Sequence, residues 1–70
     1  MEMQVVSSSN LAAVGYDNDS ATLRIQFLHG GVYDYYGVPS DVYNGLMGAG
    51  SKGTYFDQNI KKGGYSYSKV

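Results

Sequence analysis

The sequence contains no cysteine. That excludes disulfide staples, thiolate metal ligands and cysteine nucleophiles, and it suits a reducing, cytoplasmic setting. Histidine is nearly missing too: His29 stands alone, in a stretch that reads as a turn. Without it, no nucleophile, base and orienting group occur at matching spacing, which points away from an enzyme. Asp17 and Asp19 are paired carboxylates, but a calcium loop needs several more oxygen ligands. No metal and no cofactor are therefore expected. No apolar run approaches the ~20 residues of a membrane span. The opening Met1-Glu2-Met3-Gln4 lacks the basic and apolar segments of a signal peptide. The expectation is a soluble, cytoplasmic protein without a membrane partner.

Charge is sparse as well. Five basic and six acidic side chains leave a net charge of −1. This balance exerts no general pull on nucleic acid, whose binding rests largely on phosphate neutralisation. The distribution is uneven, however. Lys52, Lys61, Lys62 and Lys69 all lie in the last nineteen positions, and four of the six acids lie before position 40. A one-sided positive patch is compatible with that order.

What the chain has in quantity is tyrosine: eight, with two phenylalanines and no tryptophan. An apolar body with a polar tip suits half-buried positions in a small domain, and equally suits base stacking. Seventy residues make one domain, residues 1–70. A chain of that size buries roughly 60% of its unfolded surface, so the tyrosines are needed for the core and its rim.

In chain order, Met3, Val5 and Val6 place a short edge strand that Ser7-Ser8-Ser9-Asn10 breaks. Leu11 to Tyr16 reads as a strand with Ala12, Val14 and Tyr16 on one face. Asp17-Asn18-Asp19-Ser20 is a turn. Leu23, Ile25 and Phe27 alternate with Thr22, Arg24 and Gln26 in the clearest strand, apolar on one side and wet on the other. His29-Gly30-Gly31 turns the chain into a third strand, Val32 to Gly37.

Val38, ahead of Pro39, is pushed to an extended conformation, so the strand cannot run straight into a helix. Ser40 is a plausible cap for a helix that carries Val42, Tyr43, Leu46 and Met47 on one face and stops at Gly50. Ser51 caps a second helix through about Lys61, with Tyr55, Phe56 and Ile60 as its apolar contacts. Gly63-Gly64 ends it, and Tyr65-Ser66-Tyr67-Ser68 adds a short final strand or an extended tail. The predicted fold is α+β: a three-stranded antiparallel meander followed by two short helices packed on one face, with a short C-terminal strand as an option.

These residues, taken in order, resemble the KTSC domain. The similarity is carried by Val14-Gly15-Tyr16-Asp17, Leu23 with Phe27, Tyr33-Asp34-Tyr35, Gly37-Val38-Pro39, Val42-Tyr43, Ser51-Lys52-Gly53, Tyr55-Phe56 and Ile60-Lys61. It spans about residues 7–68. The family is named after the C-terminus of some lysyl-tRNA synthetases and also occurs as single-domain bacterial and phage-type proteins. Its central Tyr-x-Tyr motif falls here on Tyr33 and Tyr35. The resemblance implies a function that is unsettled, with RNA binding suggested by the attachment to the synthetase.

Whether that motif is structural depends on the second hairpin, because a one-residue slip turns every side chain to the other face. If His29-Gly30-Gly31 is a three-residue loop, Phe27 faces Tyr33, Ile25 faces Tyr35, and Gln26 faces Asp34. The tyrosines then join the apolar face, while Asp34 lies with Gln26 and Arg24 in water and Tyr36 turns outward beside Arg24. If His29-Gly30 is a two-residue turn, Gln26 faces Tyr33 and Arg24 faces Tyr35 on an open surface fit for stacking bases. That second register buries the Asp34 carboxylate opposite Ile25, a costly arrangement. The first register is favoured, and Tyr33 and Tyr35 read as structural.

The binding candidates then lie mainly elsewhere. Lys52 follows the glycine-rich Gly48-Ala49-Gly50-Ser51, which lacks the Gly-Lys-Ser/Thr order of a phosphate loop and reads more simply as an interhelical turn. Lys61, Lys62 and Lys69, interleaved with Tyr65 and Tyr67, form the best basic-aromatic segment. Arg24 and Tyr36 complete the set. The expected function is a small non-catalytic binding module for RNA, either tRNA or single-stranded. The alternative is a protein-interaction module that binds a protein partner or itself.

Overall fold

The alternation of Leu23, Ile25 and Phe27 with polar neighbours gives the sheet one buried face, and the rest of the chain is laid against it. The structure, a computed structural model, describes residues 1–70. The elements are β1 (Met3–Val5), β2 (Leu11–Asp17), β3 (Thr22–Phe27), β4 (Val32–Tyr35), α1 (Ser40–Gly48), α2 (Lys52–Phe56), a π-helical turn (Asp57–Lys61) and β5 (Tyr67–Lys69). The strands form one antiparallel meander in the order β1-β2-β3-β4-β5. The α+β class stands, and the sheet is wider than the predicted three strands. Both short segments read as marginal, Met3–Val5 and Tyr67–Lys69, pair along its edges. Each is three residues long, too short to announce itself by periodicity.

The core lies between the sheet and the helices. Leu11, Val14, Leu23, Ile25, Tyr35, Val38, Leu46, Phe56 and Ile60 form a continuous buried cluster. Leu46 anchors α1 there, and Phe56 and Ile60 anchor the second helical segment. A bulge in β2 explains how Leu11 joins Val14 on the same side. Leu11 pairs with Phe27 but Ala13 pairs with Gln26, leaving Ala12 as the extra residue. Ala12 thus occupies the bulge, a departure from the simple alternation that grouped it with Val14 and Tyr16. Tyr16 stacks on Tyr43 of α1 with ring centroids 4.7 Å apart, and its hydroxyl donates to the Val38 carbonyl at 2.6 Å.

The second hairpin adopts neither predicted register. Leu23 faces Tyr35, Arg24 faces Asp34, Ile25 faces Tyr33, and Gln26 faces Val32. The Phe27 amide donates to the Gly31 carbonyl at 3.2 Å, so the loop is Leu28-His29-Gly30 rather than His29-Gly30-Gly31. Relative to the favoured register the strand has slid by two residues. A slide of two preserves faces, so Tyr33 and Tyr35 do lie on the apolar side. It also sets Arg24 directly across from Asp34. Arg24 Nε donates to Oδ1 at 2.7 Å and Nη2 to Oδ2 at 2.9 Å. Asp34 is accordingly not in water, as the sequence suggested. It is buried at 9% exposure, and the bidentate partner compensates its carboxylate.

Two other local expectations change. Ser40 is the first residue of α1, behind a Pro39 cap that has no side-chain bond. Proline suits a helix entry because its fixed φ, here −65°, is already set for it and its missing amide hydrogen would have no intrahelical partner. The second helix does not continue as α-helix to Lys61 but widens after Phe56, and the Lys62 amide donates to the Asp57 carbonyl at 3.2 Å. Ser51 does cap it, accepting from the Thr54 amide at 3.4 Å.

Two stability outcomes follow. Leu46 is fully buried at the helix–sheet seam, so Leu46→Ala costs about 2–5 kcal/mol in urea unfolding. Ala21, after the first hairpin turn, holds φ at 53°, a left-handed conformation that disfavours any residue with a Cβ. Ala21→Gly therefore raises stability by roughly 0.5–1 kcal/mol, the unfolded-state entropy of glycine offsetting part of the relief. A lower unfolding midpoint for that variant would contradict the assignment.

Candidate functional site

The helices do not cover the whole inner face of the sheet. Past Phe56, towards the hairpin end of β3 and β4 and out to β5, aromatic rings are left to close the surface themselves. Phe27 and Tyr33 meet edge to face at 5.9 Å, Phe27 and Phe56 at 5.4 Å, and Tyr35 and Phe56 at 5.5 Å. Tyr67 on β5 pairs across from Tyr35, with the rings 5.5 Å apart, and lies 6.2 Å from Tyr33. These five rings line a cleft of about 540 Å³, and Asn10, Asp57 and Lys61 supply its polar lining. That size falls within the range of small-ligand sites.

The π-helical turn shapes the polar side. Phe56 and Ile60 lie in the core, while Asp57 and Lys61, the next pair at the same four-residue spacing, both line the cleft. Asn59 steadies the widened turn by donating its amide to the Tyr55 carbonyl at 3.1 Å. Such turns are rare and concentrate at functional sites. Asp57 Oδ2 lies 3.4 Å from the Lys62 ammonium, an exposed pair. Lys69 faces Tyr33 across the β4–β5 ladder and runs its stem over Gly31. A second cation thus flanks the aromatic cleft on the same side of the sheet.

The phenol groups divide into two kinds. Tyr16 bonds Val38, and Tyr36 bonds the Ser68 hydroxyl at 2.6 Å. The Tyr33, Tyr35 and Tyr67 hydroxyls make no hydrogen bond within the chain and keep contact with solvent. Burial pushes the Tyr35 phenol above its ordinary value, and the neighbouring Tyr67 and Tyr33 phenols add to the rise. Burial, then the nearby Asp17, raises Tyr16 in the same direction.

Of the candidates named from the sequence, the structure brings Lys61 together with Tyr33 and Tyr35, and it scatters the others. Arg24 and Tyr36 lie on the opposite face of the sheet, where Arg24 is bound to Asp34. Those hydrogen bonds hold the guanidinium more firmly protonated. Lys52 sits by a polar hollow lined by Ser7, Ser8, Ser9 and Ser51, with its ammonium on the Ala49 carbonyl at 3.3 Å. Lys62 points into solvent beside Asp57. Tyr65 packs against the edge of the core. Sequence reasoning did not select Asn10, Phe27 or Asp57, and it reached Tyr67 only as part of the C-terminal segment. The available signal was Phe27 and Tyr67 falling on the same strand faces as the motif tyrosines, but it needs the β4–β5 pairing to be seen.

The sequence matches the KTSC domain over residues 7–70. The chain belongs to the KTSC family. The crystal structure of a KTSC domain protein from Yersinia pestis is 43% identical and superposes with a TM-score of 0.94, covering 99% of this chain and 96% of that one. An uncharacterized protein of Stutzerimonas stutzeri is 34% identical over 70 residues, 100% of this chain and 99% of its own. The lysine–tRNA ligase of Trichormus variabilis is 40% identical over 55 residues, which is 79% of this chain but 10% of the ligase. Tyr35, 7% exposed, belongs to the core and Tyr33, half-buried, packs against it, and both also wall the cleft.

The raised phenols make stability depend on alkali. A folded-state value above the unfolded one of about 10 favours the fold below that pH and loses its effect as pH climbs through the folded value. Urea unfolding should show stability falling above about pH 10, and Tyr35→Phe should flatten part of the decline. Ultraviolet titration should show tyrosines ionising late. Simultaneous ionisation of all the tyrosines would remove the burial assigned to Tyr35 and Tyr16.

Proposed function

We propose that this KTSC domain is a non-catalytic binding module whose ligand is unpaired RNA, a single strand or an unpaired part of tRNA, received in the aromatic cleft. One observation carries the reading: five aromatic residues and Lys61 line the same hollow. Aromatic faces stack bases without regard to sequence, and ammonium groups follow the phosphates. The solvated hydroxyls of Tyr33, Tyr35 and Tyr67 add donors and acceptors at the right depth. A KTSC unit within a lysine–tRNA ligase, a protein that handles RNA, supports the same ligand class. The cleft's polar groups are phenols, one amide, one carboxylate and one ammonium, with no activated nucleophile paired to a base. That supports binding rather than catalysis. No helix is long and apolar enough to cross a membrane, and a cytoplasmic setting suits the ligand.

Stacking, more than charge, then supplies affinity. Lys61 and Lys69 flank the rings, so the logarithm of affinity should fall with the logarithm of salt with a slope of about −1.4. Tyr67→Ala should weaken binding about tenfold or more, the loss of one stacked base. Lys61→Ala should reduce the salt slope by about 0.7. Lys52→Ala, remote from the cleft, should change neither. Fluorescence anisotropy with labelled single-stranded RNA reads all three. Absence of binding at low salt would overturn the proposal.

A second reading, self-association, rests on the other face of the sheet. No helix packs there, and Val5 on β1 and Val70 beyond β5, at the two edges of the sheet, stand 88% and 63% exposed. Two copies meeting through this face would cover it. Sedimentation equilibrium should then show a dimer that Val5→Lys dissociates, whereas a monomer at high concentration rules it out.

A further inference from the structure

The cleft carries a feature that plain base stacking leaves unused. A carboxylate, Asp57, lines a site in which Lys61 and aromatic rings would otherwise serve any base on a phosphate chain. Facing phosphate it would repel. Facing a base, an acceptor-only group requires hydrogen donors. Uracil offers a single ring N–H between two carbonyl oxygens. Adenine and cytosine each offer one amino group beside a ring acceptor. Guanine alone presents two adjacent donors, N1–H and the N2 amino group, which match the two oxygens of a carboxylate. Next to them on the same edge is the O6 acceptor, which calls for a donor.

The π-helical turn supplies that pattern. Asp57 and Lys61 come from one turn of helix and line the same wall. The Asp57 carboxylate has no partner within the chain beyond the Lys62 ammonium at 3.4 Å, and about 45% of the side chain is exposed. Lys62 thus contacts the carboxylate on an exposed side, and part of the Asp57 side chain remains accessible. Tyr35 and Tyr67, tilted 32° to each other at 5.5 Å, bound the hollow on the sheet side.

Resting on the RNA reading above, we infer that the cleft selects guanine, with Asp57 accepting from N1–H and the N2 amino group and Lys61 donating to O6. The Watson–Crick edge is consumed by these contacts, so the guanine must be unpaired.

The test compares short uridine RNAs carrying one central guanosine, adenosine, cytidine or inosine with the all-uridine strand, by anisotropy on the intact domain. Guanosine should bind about tenfold tighter than the other standard bases, the discrimination of one good bidentate contact. Inosine, which lacks only the N2 amino group, should lose most of that gain. In Asp57→Asn, with its fold checked by circular dichroism, guanosine RNA should fall to the affinity the same variant shows for uridine RNA. Equal affinity for all bases would overturn the guanine inference and leave RNA binding standing. Inosine equal to guanosine would overturn the carboxylate contact, and being read on the wild-type chain, that arm holds even if the variant fails to fold. No binding of any strand would overturn both readings.

Discussion

The pairing of Arg24 with Asp34 across β3 and β4 is the constraint on which the rest of the structure turns. Side chains alternate along a strand, so the face given to Asp34 decides the face given to Tyr33 and Tyr35. A slip of one residue would drive a carboxylate into the cluster of Leu23, Ile25 and Leu46, with no partner, and lift two tyrosines out of it. A slip of two would keep the faces but separate the charges. The observed register is the one that satisfies both demands. It leaves Asp34 buried on the outer side, tied by two charge-assisted bonds, and Tyr35 buried on the inner side, opposite Leu23.

From that register the cleft follows. The helical segments end their cover at Phe56 and Ile60, and the tyrosines of β4 extend beyond it. β5 then pairs with β4 so that Tyr67 lies across from Tyr35 and Lys69 across from Tyr33. Rings that began as core continue outward as a wall. Because Tyr35 touches both Phe56 and Tyr67, core and cleft share a residue. A small domain has little interior to spare, and this economy explains why a motif can be structural and still border a site.

The parts legible in the sequence were those carried by short-range signals. The alternation Leu23-Ile25-Phe27 gave β3 and its buried face, Val38 before Pro39 gave the break before α1, and Ser51 gave the cap of α2. Asp34 as a carboxylate gave the parity of β4. What was not legible depends on pairing between distant segments. The bulge at Ala12 shows only against β3. The two-residue slide of the hairpin leaves every local pattern unchanged, so no periodicity distinguishes it. The π-helical turn has an ordinary helical composition. The candidate site was half-visible for the same reason: Lys61, Tyr33 and Tyr35 were named, but on different grounds, and the strand that unites them is three residues long.

The electrostatics argue for the kind of ligand the cleft can hold. At a net charge of −1 the domain cannot draw in a polyanion from a distance, since long-range steering requires excess positive charge. Two lysines near the rings neutralise phosphates only locally. Affinity must therefore come from short-range contact, from π faces and from hydrogen bonds that are strong where water is thinned. Such contact is available only to a base already out of its helix, because a stacked and paired one presents neither face nor edge. If RNA is the ligand, as proposed, a nearly neutral, tyrosine-walled cleft suits the unpaired nucleotide better than the duplex. On the guanine proposal, the carboxylate of Asp57, a defect in a general phosphate-binding surface, is the group that would distinguish one base from another.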